Sequence, residues 1–158
     1  MEERTKMSTY NEARTDFKDA GILIAALAAM GYTVVENCIG NPQPLIGYQG
    51  DMRTLDGVGH TKVAAEAMRA DIIIRRKYVG GTSNDLGFVR GTDGKFSAII
   101  SDYDSSKHNP AWLAKLRGEY AEANVVRTMK KMGARITSRT TRRNAQGQDE
   151  VVYSYSKA

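Results

Sequence analysis

Apolar residues recur at helical spacing in two stretches of the chain. In the first, Phe17, Ala20, Ile24, Leu27 and Ala28 fall on one stripe that Leu23 widens, predicting a helix over residues 16–30. Thr15 or Asp16 caps its start, Asp19 sits in the first turn where the helix dipole favours negative charge, and Gly31 stops it. In the second, Trp112, Leu113, Leu116, Tyr120, Ala123 and Met132 mark an apolar face, with Val126 and Met129 at its margin. Asn109 is placed to cap that helix, Pro110 suits its first position, and Gly133 closes it.

Elsewhere the apolar runs are short and strand-like. Strands are predicted at residues 8–13, 32–35 and 45–48, with a loop at 37–44 punctuated by Gly40, Pro42 and Pro44. Residues 50–59 are polar and glycine-bearing, and the alanine-rich 62–69, capped by Thr61, predicts two helical turns. Ile72-Ile73-Ile74 marks a strand within 70–78. Strands at 86–90 and 96–103 follow, joined by Thr92-Asp93-Gly94-Lys95, where Asp-Gly supplies the positive φ a hairpin needs. Residues 71–103 therefore predict a three-stranded antiparallel meander. A last hairpin pairs 134–143 with 151–155 across a Gln146-Gly147 turn. With 1–7 as a loose leader, residues 8–158 read as a single α+β domain. It is an antiparallel sheet with two main helices on one face and a C-terminal β-hairpin. The sheet's other face is expected to be partly polar and open to binding.

Composition narrows the class. At 158 residues, 41% hydrophobic and 26% charged, the chain is long enough for a core and is not disordered in character. Its longest apolar run, 20–30, is shorter than the roughly 20 residues a bilayer span needs, so no membrane partner is expected. A single cysteine, Cys38, excludes an internal disulfide and predicts a reducing, cytoplasmic setting. With only His60 and His108 beside it, no metal ligand pattern forms, and no cofactor is expected.

Charge is the strongest signal. Arg127, Lys130, Lys131, Arg135, Arg139, Arg142 and Arg143 lie within 17 residues that hold no acid. Of the 23 basic residues, these seven leave 16 to face 18 acidic ones, so the whole positive excess sits in one segment. Strict alternation places Arg135, Thr137, Arg139, Thr141 and Arg143 on one strand face, with guanidinium groups about 7 Å apart. Such a face lies outside the packed interior and is free to touch something negative. Its spacing follows a nucleic-acid backbone. Tyr153 and Tyr155 either stack on bases beside it or form the core face of their strand. The expected function is a non-enzymatic binding or accessory protein that engages an anionic partner, nucleic acid among them. The alternative is a protein–protein adaptor or assembly subunit acting through the exposed sheet face or an edge strand such as 151–155.

An enzyme reading has thinner support. Asp102 and Asp104, two apart at a strand end, could share a face, and Asp85 precedes another strand, but turns favour aspartate for local hydrogen bonding alone. No catalytic residue is expected. His60 follows Gly57-Val58-Gly59, which lacks the third glycine of a dinucleotide fingerprint, and His108 has no nucleophile at recognisable spacing. Cys38 carries no mark of a reactive thiol. Gly80-Gly81-Thr82-Ser83 could expose amides to a phosphate but lacks the lysine-serine ending of a P-loop.

In order, Met7-Ser8, Leu27 with Gly31-Tyr32-Thr33-Val34, Gly47-Tyr48-Gln49-Gly50, Ala70-Asp71-Ile72-Ile73-Ile74, Asp85-Leu86-Gly87-Phe88, Asp102, Leu113, Leu116, Tyr120-Ala121, Val125 and Gly133 form a recognisable series. The series resembles the hypothetical chloroplast open reading frame thirty-five family of plastids, cyanobacteria, other bacteria and phages. The resemblance covers residues 7–157. It implies a shared fold and a cytoplasmic, plastid-stroma-like or phage-infected-cell setting, and it brings no activity, cofactor or catalytic residue. Residues 51–69 look like an insertion. Glu122 and Ala123 stand where a tyrosine and a histidine are typical, and the arginines after Gly133 are more clustered than in typical members.

Overall fold

A computed structural model describes residues 9–157, the side chain of Lys157 excepted; the leader expected at 1–7 lies outside the described residues. Strand β1 (Tyr10–Arg14) leads to helix α1 (Ala20–Ala29). The helix starts later than its apolar stripe suggests. Thr15 is tied to the sheet instead of capping, its hydroxyl donating to the Phe96 carbonyl at 2.5 Å and accepting the Phe17 amide at 3.1 Å. The Tyr120 hydroxyl accepts the amides of Lys18 and Asp19 at 3.2 and 3.0 Å. These bonds hold the chain extended up to Asp19, whose carboxylate then caps the helix through the Ile22 amide at 3.0 Å.

Strands β2 (Glu36–Asn37), β3 (Gln43–Pro44), β4 (Met52–Arg53), β5 (His60–Thr61) and β6 (Arg69–Ala70) are two residues each. The longer strands expected at 32–35 and 45–48 do not form. Residues 47–50 turn instead, the Gly50 amide donating to the Gly47 carbonyl at 2.8 Å, and pairing with the central sheet begins only at Glu36. The helix expected over 62–69 is reduced to one 3₁₀ turn, Ala64–Glu66. Strand β7 (Ile72–Ile74) ends before Arg75, because the Asp85 carboxylate captures the Arg76 amide at 2.7 Å and turns the chain into the short helix α2 (Arg76–Val79). Strands β8 (Leu86–Arg90) and β9 (Phe96–Ser101), helix α3 (Pro110–Lys131), and strands β10 (Ala134–Arg143) and β11 (Asp149–Lys157) complete the order.

The main sheet runs β1-β9-β8-β7-β2, antiparallel throughout, so the meander of β7, β8 and β9 forms as its pattern predicts. Side chains on one face, Ile72, Ile74, Leu86, Phe88, Phe96, Ala98 and Ile100, bury against Leu23, Ala26 and Leu27 of α1 and Leu113 and Leu116 of α3. The architecture is therefore α+β, with both main helices on one face.

The opposite face is not open. Tyr10, Ile73 and Ile99 are covered there by Leu45 and Ala70. The approach is close enough to require glycine at position 87: a Cβ would fall 2.8 Å from that of Ala70 and 2.9 Å from Leu45 Cδ2. Residues 51–69 join this second layer through Arg53, which is fully buried beside the Tyr10 ring and donates to the Gly57 and Val58 carbonyls. The expectation of a free sheet face fails because the segment between β2 and β7, polar in composition, still supplies a few large anchors. No helix among the described residues is long and apolar enough to cross a membrane.

Candidate functional site

Helix α3 has 22 residues and α1 has 10, about 33 Å against 15 Å at 1.5 Å per residue. Leu113 and Leu116 are buried, and no residue of α3 beyond Tyr120 is. Past Leu116 the helix is half-buried or exposed, stays beside the start of α1 where Arg127 meets Asp19, and leads into β10 and β11, which among the described strands pair only with each other. Gly133, at φ +70°, turns the chain out of the helix. At the tip the Asn144 side chain accepts the amides of Gln146 and Gln148, both at 2.9 Å, and Gly147 adopts φ +77°. The result is an arm exposed over most of its length.

The predicted row of arginines on one face forms only in part: Arg139 and Arg143 share a face, and Arg135 lies on the other. Pairing steps from Ile136 opposite Tyr155 to Ser138 opposite Ser154, so Thr137 is an extra residue, a β-bulge. The bulge inverts the alternation beyond it. Ile136, Arg139, Thr141 and Arg143 share a face with Tyr155, Tyr153, Val151 and Asp149, while Arg135, Ser138, Thr140 and Arg142 share the other with Ser156, Ser154, Val152 and Glu150. Near the base, Ile136, Arg139 and Tyr153 turn toward Ala25, Ala29, Ala123 and Val126 of the two helices.

The seven cations also lie outside the packed interior without all being unpaired. Arg127 meets Asp19 at 2.8 Å, Arg142 meets Glu150 at 2.7 Å, Arg143 meets Asp149 at 3.5 Å, and Arg139 pairs with Glu122. Among the described residues no carboxylate pairs with Lys130, Lys131 or Arg135. Pairs this exposed contribute little and exchange readily. The Arg139 pair has a further partner: Glu122 Oε1 also accepts the Tyr153 hydroxyl at 2.9 Å. The Arg139 guanidinium, then the Tyr153 hydroxyl, hold the Glu122 carboxyl below its ordinary range. Arg139 and Tyr153 are thereby the arm's anchor. Tyr153 takes the core-side role, while Tyr155 remains 49% exposed.

The other sequence candidates scatter. β9 stops at Ser101, so Asp102 and Asp104 occupy a turn and do not share a face: Asp102 is exposed and accepts from the Asn11 side chain, whereas Asp104 is buried. Asp104 Oδ2 accepts the Ser101 hydroxyl at 2.8 Å and the Asn84 amide at 3.1 Å, and Asn84 Nδ2 donates to Ser101 Oγ at 3.0 Å, a buried network joining the start of β8 to the end of β9. Asp85 is buried and accepts from the Ile46 and Arg76 amides and Arg75; its burial pushes the carboxyl up while those three donors pull it down. His60 lies beside Asp51 across the β4–β5 turn region. His108 is buried, its Nε2 2.8 Å from the Tyr32 hydroxyl. Burial pushes the Cys38 thiol up, away from a reactive thiolate. Among the described residues no group of three or more His, Cys, Asp or Glu side chains is placed to hold a metal ion.

A family model described as a protein of unknown function, DUF1257, matches residues 26–152. The chain belongs to the DUF1257 family. The matched span runs from within α1 to within β11, so it takes in β10 and the first residues of β11 but ends before Tyr153. No curated protein and no solved structure matches the chain.

One cluster escaped the sequence reading: Arg75, Glu36 and Asp85, with Arg76 and Lys77 following. The signal that could have found it is three consecutive cations placed directly after an apolar strand and just ahead of a Gly-Gly pair.

Proposed function

We propose that this DUF1257 protein is a non-enzymatic binding or accessory protein whose arm engages an anionic partner, with nucleic acid the class its charges fit. The carrying observation is that β10 and β11 pair with no other described strand and, beyond their anchor on Glu122, expose most of their residues to solvent. The contact surface consists of Lys130 and Lys131 at the helix end and Arg135 and Arg142 on the face turned away from Tyr153. Arg127 and Arg143 give up weak surface pairs when a phosphate competes. A two-stranded ribbon of this kind is narrow enough to enter a nucleic-acid groove. The test is fluorescence anisotropy with single-stranded RNA and duplex DNA at low salt. The wild type binds, and a variant with Lys130, Lys131 and Arg135 changed to Gln binds at least tenfold more weakly, since each phosphate contact contributes on the order of 1 kcal/mol. No binding at low salt, or equal binding by the variant, refutes the reading.

A second reading, a protein adaptor, draws on the unpaired outer edges of both arm strands and on the exposed Tyr155 and Val151. A stoichiometric protein partner that survives nuclease treatment distinguishes it. We also infer that, within the family, the chain is of the chloroplast open reading frame thirty-five type, on the order of Gly31-Tyr32, Gly47-Tyr48-Gln49-Gly50 and Asp85-Leu86-Gly87-Phe88, which points to a reducing cytoplasmic or stroma-like compartment.

A further inference from the structure

We propose that the cleft between residues 43–46 and the α2 turn is a binding site for a small phosphate-bearing molecule, separate from the arm. The cleft has a volume of about 550 Å³ and is lined by Pro44, Ile46, Arg76, Lys77, Gly80 and Gly81, with Arg75 and Asp85 beneath. That volume falls in the roughly 300–1,000 Å³ range of small-molecule sites.

Its charge balance decides the sign of the ligand. Two carboxylates lie near, and both are committed. Glu36 takes Arg75 Nε and Nη2 at 2.8 and 2.9 Å, a bidentate pair. Asp85 takes Arg75 Nη1 at 2.7 Å, the Ile46 amide at 2.8 Å and the Arg76 amide at 2.7 Å. Arg75 also donates to the Pro44 carbonyl at 3.0 Å, so it is a strut that ties the two walls of the cleft together. Arg76 and Lys77 are left over. Among the described residues no carboxylate pairs with either. The Arg76 guanidinium is held by the Tyr48 carbonyl at 2.6 Å, which fixes its position while leaving its charge uncompensated.

The backbone supports the same ligand class. Gly80 lets the loop fold back on Ser83: a Cβ there would fall 2.6 Å from Ser83 Oγ. A Cβ on Gly81 would meet nothing within 4 Å, so the main chain lies bare at the cleft wall. The amides of Gly81 and Thr82 donate to no acceptor among the described residues. Two cations without a carboxylate partner, one of them held in place, and a bare glycine turn suit the several oxygens of a phosphate, which takes charge-assisted bonds from arginine and amide donors alike. Pro44 and Ile46 give the remainder of the ligand an apolar wall.

The probe is inorganic pyrophosphate, titrated into the ¹⁵N-labelled full chain at low salt, with calorimetry for affinity. Shifts are expected at the amides of Lys77, Gly80, Gly81 and Thr82. Arg76→Gln with Lys77→Gln lowers affinity about tenfold or more, while Arg135→Gln with Arg142→Gln leaves it unchanged. No shift at those four amides in the wild type overturns the proposal, whatever the variants do. So does an affinity that survives the loss of Arg76 and Lys77 or that falls with the arm variant. The arm's own reading fails on a different result, equal RNA and DNA binding by the wild type and the arm variant, so the two are separable.

Discussion

The Tyr153 hydroxyl donates to Glu122 Oε1 over 2.9 Å, and the same oxygen receives Arg139 Nε from the residue paired opposite Tyr153. One carboxylate on α3 therefore clamps both strands of the arm. Tyr153→Phe removes only the hydroxyl. Local opening of the arm becomes easier by about 1 kcal/mol, roughly fivefold in the hydrogen exchange of amides 134–143. Unfolding of the body, read from α1 and the main sheet, stays put. Unchanged exchange in the arm would show that this bond does not hold it.

Glycines separate the two layers from the arm's helix. Gly87→Ala drives a methyl between Ala70 and Leu45 where no room exists, and costs about 1–3 kcal/mol in chemical denaturation. Gly118 sits in exposed helix, where an added methyl would meet nothing within 4 Å, so Gly118→Ala stabilises by about 0.5–1 kcal/mol through helix propensity. Equal effects of the two changes would mean that the 43–70 segment does not press on β8.

His108 makes stability depend on pH near neutrality. Burial pushes its pKa below the ordinary histidine value, with Asp104 acting partly against that, and its ring lies edge-on to Trp112 at 4.7 Å between centroids. The folded protein holds the imidazole neutral while the unfolded chain protonates it below about pH 6.5. The unfolded state then binds more protons, so stability is complete above that pH and is lost as pH falls toward the lower folded value. Asp19, held low first by the Ile22 amide, Glu36, held low by Arg75, and Glu122, held low by Arg139, act in the same sense but only below about pH 4.5. Asp85, raised by burial, works in the opposite sense at the acid end. Urea unfolding should therefore require less denaturant at about pH 5.5 than at about 7.5, and His108→Gln should flatten that interval. A wild-type profile flat across it would contradict the assignment.

What the sequence could reveal followed the strength of local signals. Asn109-Pro110 and Gly133 bracket α3 because a capping side chain, a proline at the first turn and a glycine at φ +70° each act within a few residues. The meander and the final hairpin were legible for the same reason, through Asp93-Gly94 and Gln146-Gly147. The start of α1 was not, because Tyr120, a hundred residues away, supplies the hydroxyl that holds Lys18 and Asp19 out of the helix. Residues 43–70 hid their role behind polar composition, since one buried leucine and one buried alanine suffice to cover the sheet over a glycine. In the candidate site, charge segregation was visible but geometry was not. A bulge at Thr137 carries no sequence mark, yet it moves Arg139 to the face of Tyr153 and leaves Arg135 on the other.

The arm's role is tested most directly by the salt dependence of nucleic-acid affinity. The slope of log K against log salt for duplex DNA counts displaced phosphate counterions. With Lys130, Lys131, Arg135 and Arg142 all changed to Gln, the slope should shrink by roughly three to four, at about 0.9 per contact, while the circular dichroism of the fold is unaltered. A slope identical to that of the wild type would place the contact elsewhere on the molecule and end the account of the arm as an anion-binding element.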